Sequence, residues 1–135
     1  MSVQLFDPPE LPEPYGWRQM AVGTGTRLVF LSGQTARTAD GGLTGAGDMG
    51  AQAEQAYLNV GAALASAGGS FDDVVRLNVY VVDWELSKWD GVRGGIERAA
   101  AKLGADLVRP MTLTGVVTLA EPEFLIEVEA IAVLP

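Results

Sequence analysis

Residues 124–134, FLIEVEAIAVL, carry two carboxylates two positions apart, Glu127 and Glu129. Read as a strand, the run sends both to one face with Leu125 and Ile131, and Phe124, Ile126, Val128 and Ala130 to the other. Carboxylates on a partly apolar face need water or a partner, because a buried unpaired charge is costly. They are solvated, or pair with a basic residue across a subunit boundary, or hold a proton or a water for hydrolysis. Three further places offer complementary chemistry. Ser32-Gly33-Gln34 presents a hydroxyl and backbone N–H groups to a pocket, or is a strand-ending turn. Tyr15, within Glu13-Pro14-Tyr15-Gly16, offers a phenol to a ligand or anchors a terminal arm. Arg109, before Pro110, is a bidentate clamp for a carboxylate or a solvated loop charge.

Two absences narrow the chemistry. The 135 residues include no histidine and no cysteine. Thiolate nucleophiles, Ser-His-Asp and Cys-His arrangements, and zinc sites of imidazole or sulfur are excluded. Acid–base work falls to carboxylates, Tyr, Lys or water, and no metal or other cofactor is expected. Nine basic against 17 acidic residues give a net charge of −8. Such a chain repels phosphate backbones and anionic lipid, so neither nucleic acid nor membrane is an expected partner. A small molecule or another protein remains. Gly45-Ala46-Gly47-Asp48-Met49-Gly50 matches G-x-G-x-x-G, but a polar loop precedes it and Asp48 would meet the pyrophosphate, so it reads as a helix-entry loop.

The elements that must position these residues follow from periodicity. One domain is expected over 1–135, with an irregular, proline-rich arm over 1–14 and no basic, apolar leader, which points to the cytoplasm. Strands are predicted over 17–22, 27–32, 74–82, 111–119 and 124–134, the last two joined as a hairpin. A helix over 48–67 is capped by Asp48 and stopped by Gly68-Gly69, and a second covers 86–103. The order β-β-α-β-α-β-β predicts an α+β layer, with two helices on one face of a single sheet. The other sheet face is left bare, and self-association is the inference.

Glu13-Pro14-Tyr15, Phe30-Leu31-Ser32-Gly33-Gln34, the alanine-rich helix over 52–67, the strand over 74–83 and Ile126-Glu127-Val128-Glu129-Ala130-Ile131-Ala132 stand in a familiar order. From about Tyr15 to Leu134 the chain resembles the RidA family, also called YjgF or UK-type. The resemblance implies a chorismate-mutase-like fold, a homotrimer around a central barrel, and clefts between subunits. It implies hydrolysis of 2-imino acids or their enamine tautomers to 2-keto acids and ammonia. Glu127 would then orient water, while Tyr15, Ser32 and Gly33 would shape the cleft.

The family's carboxylate-binding arginine falls on Thr112, counted from Pro110 or back from Glu127, and its thiol-bearing position is Thr114. Threonine lacks the fixed charge and the fork of donors. Arg109 lies an odd number of residues away and points to the opposite face of a strand, so it would have to act from a neighbouring subunit. Standard 2-imino acid deamination is therefore not expected. The leading expectation is binding, with hydrolysis of an imine, enamine or carbonyl compound of altered specificity, involving Thr112, Thr114 and Arg109 as well. The alternatives are a non-catalytic small-molecule-binding module and, by fold analogy, a chorismate-mutase-type isomerase.

Overall fold

The computed structural model describes residues 2–135. Strands β1 (Val3–Phe6) and β2 (Met20–Gly23) pair antiparallel as a small sheet of their own. β1 falls within the segment expected to be irregular, which corrects that expectation. Its V-Q-L-F alternation buries Val3 and half-buries Leu5, and the prolines that dominate the segment begin only at Pro8. At Thr24 the chain changes sheets: Thr24 N–H donates to the Ser2 carbonyl, and Thr26 N–H to Leu134 at the far end of the chain.

The remaining elements are β3 (Arg27–Phe30), α1 (Met49–Ser66), β4 (Val74–Val82), α2 (Trp89–Leu103), β5 (Met111–Val116) and β6 (Ile126–Leu134). Their four strands form a second sheet in the order β3-β6-β4-β5, so the single predicted sheet is two. The predicted hairpin is also corrected. β5 pairs in parallel with β4, and β6 lies antiparallel on the other side of β4. β4, α2 and β5 form a strand–helix–strand crossover, which demands parallel pairing and takes one flank of β4 before β6 arrives.

Local chemistry explains the helix ends. The Asp48 carboxylate accepts from Ala51 N–H at 3.1 Å, and Gly69 N–H closes the other end on the Leu64 carbonyl. The glycine-rich entry to α1 is structural: fully buried Gln52 donates to the Gly45 and Glu123 carbonyls and accepts from Leu125 N–H. Leu77, Val79 and Val81 of β4 join Ile126, Val128 and Ala130 of β6 in the core beneath the helices. There Tyr57 stacks on Phe71 with ring centroids 6.0 Å apart.

Candidate functional site

Alternation on β4, β5 and β6 decides what the uncovered sheet face presents. Along the first part of β6, Ile126, Val128, Ala130 and Ala132 are buried and Glu127, Glu129 and Ile131 between them are half-buried, facing away from the helices as the sequence predicts. The cross-strand register extends the row from Thr114 through Tyr80 to Glu127, and the next from Thr112 through Asn78 to Glu129. β4 contributes an irregularity between Val74 and Arg76. This bulge changes the parity of the strand, so that Val74 and Leu77 both point inward and Arg76 stands on the uncovered face.

The two carboxylates are not equivalent. Tyr80 donates its phenolic O–H to Glu129 at 2.7 Å. That bond, with partial burial and the negative charges of Glu129 and Glu127, holds the phenol above its ordinary titration range, against the opposing effect of Arg76. The Glu127 carboxylate accepts no hydrogen bond among the described residues. It lies against Gly33, where a Cβ would stand 2.6 Å from its Cδ, so this approach requires glycine. Gly33 is held there because Gln34 and Val128 exchange backbone hydrogen bonds. Exposed Ser32 precedes it, and the Gln34 amide donates to the Ser32 carbonyl. Ser32, Gly33 and Glu127 are thus brought to one corner of the sheet.

Thr112 and Thr114 share the face, but two strand spacings, roughly 10 Å, separate Thr114 from Glu127. The Thr112 hydroxyl accepts from Arg76 Nη2 at 2.5 Å. No carboxylate among the described residues pairs with Arg76. A guanidinium therefore does occupy this face, anchored on β4 and leaning on the position where sequence comparison finds threonine. Sequence reasoning passed over it by reading residues 74–82 as a β-branched strand, although Arg76, Asn78 and Tyr80 alternate with Leu77, Val79 and Val81.

Arg109 and Tyr15 do not join this group within one chain. Arg109 is 5% exposed and donates from Nη2 to Asp72 at 3.4 Å and to the Asp106 carbonyl at 3.3 Å. Burial lowers its pKa, opposed by the neighbouring aspartates. It serves the start of β5 rather than the carboxylate face. Tyr15 packs against Trp17, ring centroids 4.9 Å apart, in a cavity lined also by Met111 and Leu113. Those two residues alternate with Thr112 and Thr114 and point to the opposite side of β5. Among the described residues no cluster of three acidic side chains could hold a metal ion, and no helix is long and apolar enough to cross a membrane.

A carboxylate at such a corner, against Gly33 and next to exposed Ser32 in the chain, can orient a water for attack on an electrophilic carbon. Comparison with known proteins bears on the fold that carries these residues. A family model described as Endoribonuclease L-PSP matches residues 12–134. A structure of the conserved Rid-family protein YyfB from Yersinia pestis, of unknown function, is 33% identical; the match covers 99% of this chain and 100% of that one, with a TM-score of 0.87. The YjgF gene product of E. coli is 29% identical over 94% of this chain and 93% of its own, with a TM-score of 0.69. E. coli TdcF, solved with bound serine, is 25% identical over 93% and 91%, also at 0.69. A RutC family protein from Pyrococcus abyssi is 30% identical over 83 residues; the match spans 62% of this chain and 65% of that protein, under two thirds of its length.

Proposed function

The chain belongs to the endoribonuclease L-PSP family, which includes the Rid and YjgF proteins, and on that premise we propose that its uncovered sheet face binds and hydrolyses a small imine, enamine or carbonyl compound. The observation that carries this reading is the asymmetry of the two carboxylates. Glu129 is taken by Tyr80, whereas Glu127, beside Gly33 and Ser32, has no donor among the described residues. In hydrolysis of an imine, water oxygen bonds to the carbon while Glu127 takes one water proton and passes it to nitrogen, giving a carbinolamine. The hydroxyl proton then moves through Glu127 to the same nitrogen as the carbon–nitrogen bond breaks and the carbonyl forms, releasing ammonia and a carbonyl product. Ser32 and Thr114 supply hydrogen bonds, and Arg76, braced by Thr112, supplies positive charge for an anionic group. Tyr15 would have to come from a neighbouring chain in a trimer to close such a cleft.

A small ligand fits better than RNA. A chain of net charge −8 repels a phosphate backbone, and on this face one guanidinium stands against two carboxylates. The serine bound to TdcF is a molecule of the size proposed here. The test measures ammonia release from freshly generated imines. Glu127→Gln should lower the rate by roughly 10²-fold or more, the usual size of a general-base contribution, and Glu129→Gln far less. No turnover above background over an imine panel, with ligands still raising the melting temperature, would favour a non-catalytic binding module.

A further inference from the structure

All three tryptophans of the chain, Trp17, Trp84 and Trp89, line one cavity of about 290 Å³ with Tyr15, Met111 and Leu113. Within one chain it is separate from the Glu127 corner, since it lies on the other side of β5 from Thr112 and Thr114; of its lining residues only Tyr15 also enters the cleft of the trimer reading. Two features of the chain make room for the indoles. Gly16, with φ +82°, passes so close to Trp89 that a Cβ would meet its Cζ2 at 2.5 Å, and a Cβ on Gly115 would stand 2.9 Å from Trp84 Cβ. Asp83, immediately before Trp84, has φ +49° and is the one described non-glycine residue with a positive φ. Strained backbone persists where surrounding structure enforces it, often at ligand sites.

We propose that this cavity binds the flat ring of a small, neutral aromatic carbonyl compound. Four aromatic side chains suit a flat ring, through offset or edge-to-face contacts. The volume suits a single substituted ring, since an apolar cavity of about 150 Å³ already holds benzene. Trp89 selects the polar group. Its Nε1–H is buried and has no hydrogen-bond partner. A buried unpaired donor calls for an acceptor and disfavours a cation, although aromatic cages otherwise suit quaternary ammonium groups. No lysine or arginine lines the cavity, and the chain carries −8, so a neutral carbonyl oxygen is favoured over a carboxylate. Reaching Nε1 requires a wall to shift. Tyr15 and Leu86, which also line the cavity, are 61% and 76% exposed and are the side chains least held by packing.

The test follows the three indole N–H signals of the ¹⁵N-labelled full chain during titration with acetophenone, benzoate or benzyltrimethylammonium. Trp89→Phe assigns one signal. Acetophenone should shift the Trp89 signal downfield in a saturable way, and the two charged probes should bind at least tenfold more weakly. Trp89→Phe should weaken acetophenone about tenfold while the other two signals still respond. Leu86→Arg, a change at an exposed position that leaves the core intact, should abolish the response. The proposal is overturned by absence of a saturable shift, by equal or tighter binding of the ammonium probe, or by full binding in Leu86→Arg. It also fails if the Trp89 signal is silent to acetophenone until dilution, which would mean that a second copy of the chain covers the cavity.

Discussion

Arg76 and Thr112 show how a charge can reach a sheet face from a strand other than the one where the family resemblance expects it. Thr112 contributes a hydroxyl instead of a guanidinium, but that hydroxyl holds Arg76 from the neighbouring strand. Hydrogen bonds to a charged group contribute about 1.5–3 kcal/mol each. If Arg76 meets the anionic group of a ligand, Arg76→Gln should raise KM for a 2-imino acid by roughly tenfold or more, with kcat and the KM of an uncharged imine little changed. An equal loss on charged and uncharged imines would remove Arg76 from ligand recognition. This residue was hard to read from the chain, because the arginine position counted from Pro110 lies on one strand and Arg76 lies on another. Glu127 and Gly33 were easier: alternation alone exposes the first, and a strand-ending Ser-Gly-Gln marks the second. The Gly33–Glu127 contact itself needs the pairing of Gln34 with Val128, which has no local signal.

At the level of elements, α1 and β6 were legible because each has one strong period and clear ends. The hairpin between β5 and β6 was misread because a short connection is a local cue, whereas the crossover through α2 is a longer-range constraint that overrides it. The bulge in β4 left no mark in the sequence, yet it sets which side Arg76 faces. Helix packing also carries a pH signature. Glu54 of α1 pairs with Lys102 and, at 2.7 Å, with Arg98, both on α2. Their hydrogen bonds and charges, Lys102 first, hold its carboxyl below its ordinary 4.5. A depressed folded-state pKa gives stability that is present above the unfolded value and is lost as pH falls through the folded one. Since both cations are more than half exposed, the contribution is on the order of 0.5–1 kcal/mol. Denaturant midpoints measured from pH 6 down to pH 3 should therefore fall less steeply in Glu54→Gln than in the parent; parallel curves would show that the pair is fully screened.

Over the whole molecule, the sheet is covered by helices on one side and carries exposed apolar residues on the other. Leu28 and Phe30 of β3 are 64% and 69% exposed, beside Ile131 of β6. An apolar patch beside the row of Glu127 and Glu129 is more than a solvated monomer needs. In the trimer that we infer, this face meets its copies, and size-exclusion with light scattering should give three times 14.2 kDa. Phe30→Glu should reduce the mass to that of one chain while the helical circular dichroism is retained, and a parent that already elutes as one chain would refute the trimer.

The gathering of every tryptophan into one cavity has a spectroscopic consequence. Indole emission from this protein originates where the Tyr15–Trp17 segment crosses the start of α2, with Trp84 and Trp89 packed against the core that Tyr57 and Phe71 belong to. Fluorescence therefore watches the seam between the N-terminal arm and the rim of the core. A melting curve recorded in that light is weighted toward this seam, and far-ultraviolet circular dichroism is needed to follow the helices and sheets as a whole.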